Sequence, residues 1–174
     1  MDAMENILSR RSIRKYKDKP IEDEKIKQIL TAAMSAPSCV NSRDWAFIAV
    51  TDKEMLNKMA DVNGRPAEPL RGCAAAILVC GDLERAFEKA KDYWIIDCSI
   101  AAGNICLAAN ALGIGSVWLG TYPQKERVEG QSELFGLPES IVPHSIIALG
   151  YPDEVREERK EIYEESRVHF QKWQ

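Results

Sequence analysis

The chain has 174 residues, 45% hydrophobic and 29% charged, with a formal net charge of −4 and a pI near 5.3. One domain with a real core is the simplest organisation at that length, and the acidic balance excludes a general nucleic-acid binder, which carries a broad basic face. No apolar run approaches the roughly 20 residues that cross a bilayer. The polar start, Met1-Asp2-Ala3-Met4-Glu5-Asn6, has no signal-peptide core. A cytoplasmic protein with no membrane partner is expected. The five cysteines (39, 73, 80, 98 and 106) form no CxxC pair and read as reduced core thiols. His144 and His169 are far apart in sequence, so no metal site is expected.

Residues 3–9 predict a short helix with Met4, Ile7 and Leu8 on one stripe. Ser9-Arg10-Arg11-Ser12-Ile13-Arg14-Lys15-Tyr16 follows and concentrates three guanidiniums, one ammonium and two serine hydroxyls. Guanidinium forks grip phosphate through paired, charge-assisted hydrogen bonds. In an extended run Arg10, Ser12 and Arg14 share one side, while Arg11 and Ile13 face the other. Taken alone, the same cluster is also what a solvated surface looks like.

Asp18-Lys19-Pro20 breaks the chain, and Ile26, Ile29, Leu30, Ala33 and Met34 recur at helical spacing over 22–35. The loop Ala36 to Trp45 is rich in small polar residues and leads into a buried strand over 46–51. A helix over roughly 53–61 and a loop over 62–72 come next. Residues 73–80 form a nearly continuous apolar strand, the pattern of a strand buried on both faces. A long helix over about 92–112 places Ile96, Ile100, Ala101, Asn104, Ile105 and Ala108 on one face. Strands over 116–121 and 145–150 flank a helix over 124–135. Residues 153–167 are highly charged and read as a solvated helix or as an arm, and Phe170 and Trp173 suggest an arm that docks. Four strands and about five helices make a layered fold of α/β or α+β type.

The sequence has no GxSxG elbow, Walker loop or GxGxxG fingerprint, and no catalytic carboxylate pair stands out. The hard chemistry of an enzyme built this way falls to a bound cofactor. Three stretches are candidates to hold one. The basic run is the first. The second is the Pro37–Asn41 loop, where Ser38 and Asn41 offer directional donors and acceptors to a heterocycle; it also reads as a capped helix-to-strand turn. The third is Trp118-Leu119-Gly120, whose glycine admits a ligand close to the backbone; it also reads as a strand end.

In order and content these stretches resemble the nitroreductase family of FMN-dependent oxidoreductases. The resemblance rests on Arg10-Arg11-Ser12-Ile13-Arg14-Lys15-Tyr16, the loop Ala36 to Trp45, the helix-then-strand segment Asp97 to Gly120, and Leu149-Gly150-Tyr151-Pro152. It implies an α+β fold: a central, mostly antiparallel sheet of about four to five strands flanked by helices, in an intertwined homodimer. The whole of 1–174 would be one FMN-binding domain, with 153–174 an arm docking on the partner. It also implies that Arg10, Arg11, Ser12 and Arg14 hold the phosphate and ribityl chain. Pro37, Ser38, Cys39 and Asn41 would reach the flavin from the other subunit. Trp118, Leu119 and Gly120 would lie near the ring or its phosphate end. Arg159 or Lys160, Arg159 by preference, would complete the clamp. No side chain is expected to be catalytic. The implied reaction moves a hydride from NADH or NADPH through FMN to a nitroaromatic, quinone or similar small acceptor by a ping-pong mechanism. The alternative within the fold is a flavin-handling or reductive dehalogenase-like protein. Two departures stand out: Arg43-Asp44 replaces the family's Gln-Pro before the tryptophan, and the chain is short, leaving only 61–72 or 82–93 for a lid. Cys39 has a redox or a packing role.

Overall fold

The computed structural model describes residues 2–157, 159–160 and 162–173. The elements run α1 (Ala3–Ser9), α2 (Asp23–Met34), β1 (Trp45–Val50), α3 (Lys53–Asn63), β2 (Ala75–Asp82), α4 (Tyr93–Ala111), β3 (Gly115–Gly120), α5 (Lys125–Phe135) and β4 (Ile141–Gly150). The four strands form one sheet in the order β1-β2-β4-β3, and every pairing is antiparallel. This is the α+β architecture expected.

Alternation along the central strands explains the layers, because successive strand side chains point to opposite faces. Ile77, Val79, Ile147 and Leu149 pack in the core that also contains Ile29 and Ala33 of α2 and Ala101 and Ile105 of α4. Their neighbours Ala76, Leu78, Ile146 and Ala148 pack in a second core with Leu56 and Met59 of α3, Leu70, and Val117 and Leu119 of β3. Both faces of β2 are therefore covered, as its apolar run requires. Asp52 starts α3 by accepting from Met55 N at 2.8 Å, and Gly136 ends α5 in the left-handed conformation.

Several expectations are corrected. The last strand begins at Ile141 rather than 145. The 62–72 loop contains a 3₁₀ segment over Arg65–Arg71. The described residues of the arm are largely irregular, with one 3₁₀ turn among them at Glu165–Arg167. The short opening helix forms as expected, and Met4, Ile7 and Leu8 on it are exposed. In α4 the buried residues are Trp94, Asp97, Cys98, Ala101, Ala102, Ile105, Cys106 and Ala109, while Ile96 is 50% exposed. Apolar residues surround most of that helix, so periodicity cannot choose its inward face. By length and composition α4 is also long and apolar enough to cross a membrane. That corrects the expectation that no segment approaches that length. Its packing against α2 and the sheet is that of a core helix.

Candidate functional site

The basic run lies as an extended segment against the edge of the sheet. Ser12 bridges Ser116 of β3, and Ile13 N donates to Ser116 O at 2.9 Å. Tyr16 bridges Pro152 just after β4, and Asp153 N donates to Lys15 O at 2.9 Å. Two glycines permit this contact. A β-carbon on Gly115 would stand 2.8 Å from Ile13 Cβ, and one on Gly150 would stand 2.7 Å from Tyr16 Cδ1. Ile13 is buried, Tyr16 is half-buried, and Arg14 and Lys15 are exposed. The Tyr16 hydroxyl donates to Ile13 O at 2.6 Å. Burial raises its phenol far above the ordinary value, so it stays neutral.

A cavity of about 930 Å³ opens beside the run, lined by Arg14, Lys15 and Tyr16, by Arg65 and Arg71 of the 3₁₀ segment, and by Arg156 of the arm. A neighbouring cavity of about 540 Å³ is lined by Arg11, Ser12, Arg14, Arg156 and Arg159. Arg14 and Arg156 line both, so the two form one basic trough. Glu154 organises it. One carboxylate oxygen accepts from Arg14 N at 2.6 Å and Lys15 N at 3.2 Å, and the other meets Arg156 Nη2 at 2.7 Å. Desolvation pushes the Glu154 carboxyl upward, but these donors outweigh it and hold it below its ordinary value. Arg71 is paired with Asp61 and Glu68. Arg11 turns to the backbone, donating to Leu8 O at 2.6 Å and Glu157 O at 3.1 Å, and so ties the end of α1 to the arm.

The Pro37–Asn41 loop is strained. Val40, Asn41 and Arg43 have φ of 46°, 58° and 51°, in the region that non-glycine residues rarely occupy. Its surroundings hold it there. Cys39 is only half-buried, a correction to the expectation of five core thiols, because it belongs to this loop; its N donates to Asp97 Oδ2 at 2.9 Å, Arg43 N to Ser38 Oγ at 3.0 Å, and Arg43 Nε to Asn41 Oδ1 at 3.1 Å. Asp97 and Asp44 are both buried. Burial, and then the Asp97 carboxylate beside it, push the Asp44 carboxyl up to about 6. Among the described residues neither Asp44 oxygen has a hydrogen-bond partner.

At the end of β3, Trp118 is 39% exposed and Leu119 is in the core. Gly120 O accepts from Asn63 Nδ2 at 3.1 Å and Arg127 Nη1 at 2.9 Å. Trp118 and Trp94 both stand edge-on to the buried His144 ring, with centroids 5.9 Å away. His144 nitrogens contact Ser99 Oγ at 3.2 Å and Ser145 Oγ at 3.0 Å. Burial pushes the imidazole down to about 4, so it is neutral near pH 7.

Within one chain, then, Arg11, Ser12, Arg14 and Arg159 share a cavity. Arg10, the loop residues Pro37, Ser38, Cys39 and Asn41, and the segment Trp118 to Gly120 line neither half of the trough. Sequence reasoning missed Arg65, Arg71, Glu154 and Arg156, and it missed Asp97 as the pin of the loop. Arg156 carried a signal, since it lies three positions before Arg159 in the same charged arm. Arg65 and Arg71 carried none, because nothing local ties residues 65–71 to residues 14–16.

A sequence model described as the nitroreductase family matches residues 7–68 and 62–151. The chain belongs to the nitroreductase family. Among its relatives, a Methanothermobacter thermautotrophicus protein is 46% identical over 173 residues, 99% of this chain and 88% of that one. Its name assigns it, provisionally, as an NADH dehydrogenase/NAD(P)H nitroreductase. A solved structure from Bacteroides thetaiotaomicron with the same name superposes with a TM-score of 0.90 at 42% identity, covering 98% of both chains. The FMN-dependent nitroreductase of Clostridium difficile superposes with a TM-score of 0.89 at 34% identity, covering 98% of this chain and 99% of that one. Nitroreductase family members thus share this chain's fold over essentially its full length.

Proposed function

We propose that this nitroreductase family member is an FMN-dependent oxidoreductase taking reducing equivalents from NAD(P)H and passing them to a small acceptor such as a nitroaromatic or quinone. The observation that carries the reading is the basic trough. Its guanidiniums and the Ser12 hydroxyl suit a phosphate tail, and the wider half beside Tyr16 has volume for a flat ring system. The FMN-dependent relative from Clostridium difficile supports the cofactor.

Bound FMN supplies two-electron chemistry between a reduced nicotinamide and an oxidised acceptor, which take the pocket in turn. The chain contributes binding and electrostatics. Ser12, Arg14, Arg156 and Arg159 hold the phosphate and ribityl end, with Arg11, tied to the backbone of α1 and the arm, lining the same cavity; Arg10 lines neither half of the trough and is left out of the clamp. The positive charge of Arg14, Lys15 and Arg65 lowers the energy of negative charge developing on a bound ring. Glu154 keeps the Arg14–Lys15 backbone in register.

We further propose that residues 1–174 form one domain that works as an intertwined homodimer. Pro37, Ser38, Cys39, Asn41 and the Trp118–Gly120 segment then complete each other's sites across the interface. Ile96 and Tyr93 on α4, and Met4, Ile7 and Leu8 on α1, are large apolar side chains left exposed in one chain. So are Ile162, Phe170 and Trp173 of the arm, which would dock on the partner. The five free thiols fit a reducing, cytoplasmic setting.

The test is anaerobic. Purified protein is expected to be yellow, to elute as a dimer by light scattering, and to bleach when NADH or NADPH is added and regain colour with a nitroaromatic or quinone. A colourless monomer that takes up no FMN when it is supplied in excess would overturn the reading.

A further inference from the structure

A separate cavity of about 320 Å³ lies on the other side of the strained loop, between α2 and the start of β1. Leu30, Met34, Trp45 and Phe47 supply apolar and aromatic walls, and the exposed Arg43 and Arg85 complete the lining. Among the described residues neither guanidinium is in an ion pair; the Arg85 backbone N–H donates to Asp82 O at 3.1 Å, while its guanidinium donates to no acceptor there. Arg43 is held in place. Its backbone N–H and Nε bond Ser38 and Asn41, and among the described residues neither Nη group meets an acceptor.

We propose that this cavity is the subsite for the adenosine 2′-phosphate of NADPH, with Arg43 and Arg85 gripping the phosphate and Trp45, Phe47 and Met34 receiving the base. This rests on the NAD(P)H-dependent reading above. Two guanidiniums match the charge of a phosphate monoester, about −1.5 to −2 at pH 7, whereas a single carboxylate would leave one fork unbalanced. Fork geometry suits phosphate oxygens bidentately. Flat bases stack on aromatic and thioether side chains irrespective of their hydrogen-bonding edge. The cavity adjoins the loop assigned to the flavin, and Arg43 touches both. Arg43 also stands where the family pattern has glutamine, so the phosphate grip comes from one of this chain's own departures.

The test is calorimetric titration of the purified protein with 2′,5′-ADP and with 5′-AMP, which lacks the 2′-phosphate. The expected result is that 2′,5′-ADP binds at least about tenfold more tightly, the value of one charge-assisted contact. In Arg85→Ala the two ligands should converge, and Arg85→Lys should restore part of the difference. In turnover, the ratio of KM for NADPH to KM for NADH should rise about tenfold in Arg85→Ala, by the same conversion. Equal affinity for the two ligands in the unaltered protein overturns the proposal. So does an Arg85→Ala variant that keeps the preference, or one that instead discriminates only against 4-nitrobenzoate relative to 4-nitrobenzyl alcohol, which would make the cavity an acceptor subsite. A protein that takes up no flavin yet prefers 2′,5′-ADP through Arg85 would sink the FMN reading and leave this subsite standing.

Discussion

Tyr16 packs on Gly150 so closely that a β-carbon at position 150 would stand 2.7 Å from Cδ1 of the ring. The ring also anchors the basic run, since its hydroxyl reaches Ile13 O and, at 3.4 Å, Ala148 O. Gly150→Ala should therefore push Tyr16 off the sheet and displace Arg14 and Lys15 with it. Overpacking of this kind costs about 1–3 kcal/mol. A lowered Tm together with weakened FMN retention is expected; an unchanged Tm would show that the ring is free to move.

Arg14 lines both halves of the trough, while Arg159 lines only the narrower part of it. Under the FMN assignment, Arg14→Ala should weaken FMN binding by roughly ten- to a hundredfold, the range for losing charge-assisted phosphate contacts. Arg159→Ala should cost less. Flavin content after gel filtration ranks the variants, and full occupancy in Arg14→Ala would remove that residue from the clamp.

Asp44 is buried with no donor among the described residues, and its carboxyl sits at about 6 against an ordinary 3.8. Between those values the folded protein holds a proton that the unfolded chain has released. Asp44 therefore stabilises the fold fully below about 4, and that contribution is lost as pH rises through about 6. Asp44→Asn carries no such charge. Its unfolding free energy relative to that of the unaltered protein, measured by urea titration, should rise between pH 4 and pH 7 by an amount on the order of 1–3 kcal/mol. A difference independent of pH would show that Asp44 does not titrate in this window.

His144 works in the opposite direction. Its imidazole drops from 6.5 to about 4 in the fold, so the unfolded chain binds the proton first. Its stabilisation is complete above about 6.5 and is lost as pH falls through about 4. Substituting His144 by Gln should flatten the acid limb of the stability curve by up to on the order of 3 kcal/mol, one pKa unit being worth about 1.4 kcal/mol. Urea unfolding at pH 4.5 and 7 measures it, and parallel curves would refute it.

Val40 holds φ at 46°, a conformation costing a β-branched residue about 1–3 kcal/mol. Val40→Gly should raise Tm by a few degrees, less the added freedom of the unfolded chain. If the strain serves cofactor binding, the same variant should retain FMN less well. A fall in Tm would mean that Val40 packs on something that stabilises it more than the strain costs.

The order of helices and strands was legible from local signals: the 3.6-residue spacing of Ile26, Ile29 and Ala33, the apolar run of β2, the glycines after α4. The charge and hydroxyl content of the basic run were legible too, because guanidinium and hydroxyl groups carry the same capacity to bind an anion wherever the chain places them. What local signals cannot carry is who meets whom. β4 inserts between β2 and β3 through contacts distant in sequence. Likewise, the stripe α4 buries was chosen by α2 and the sheet, not by its own nearly uniform apolar surface. The trough exists because Arg65 and Arg71, Arg14 and Arg156 come from three separate stretches. Only the folded chain, with Gly115 and Gly150 giving way to Ile13 and Tyr16, brings them to one place, because close packing is a property of the surfaces that meet and of neither segment alone.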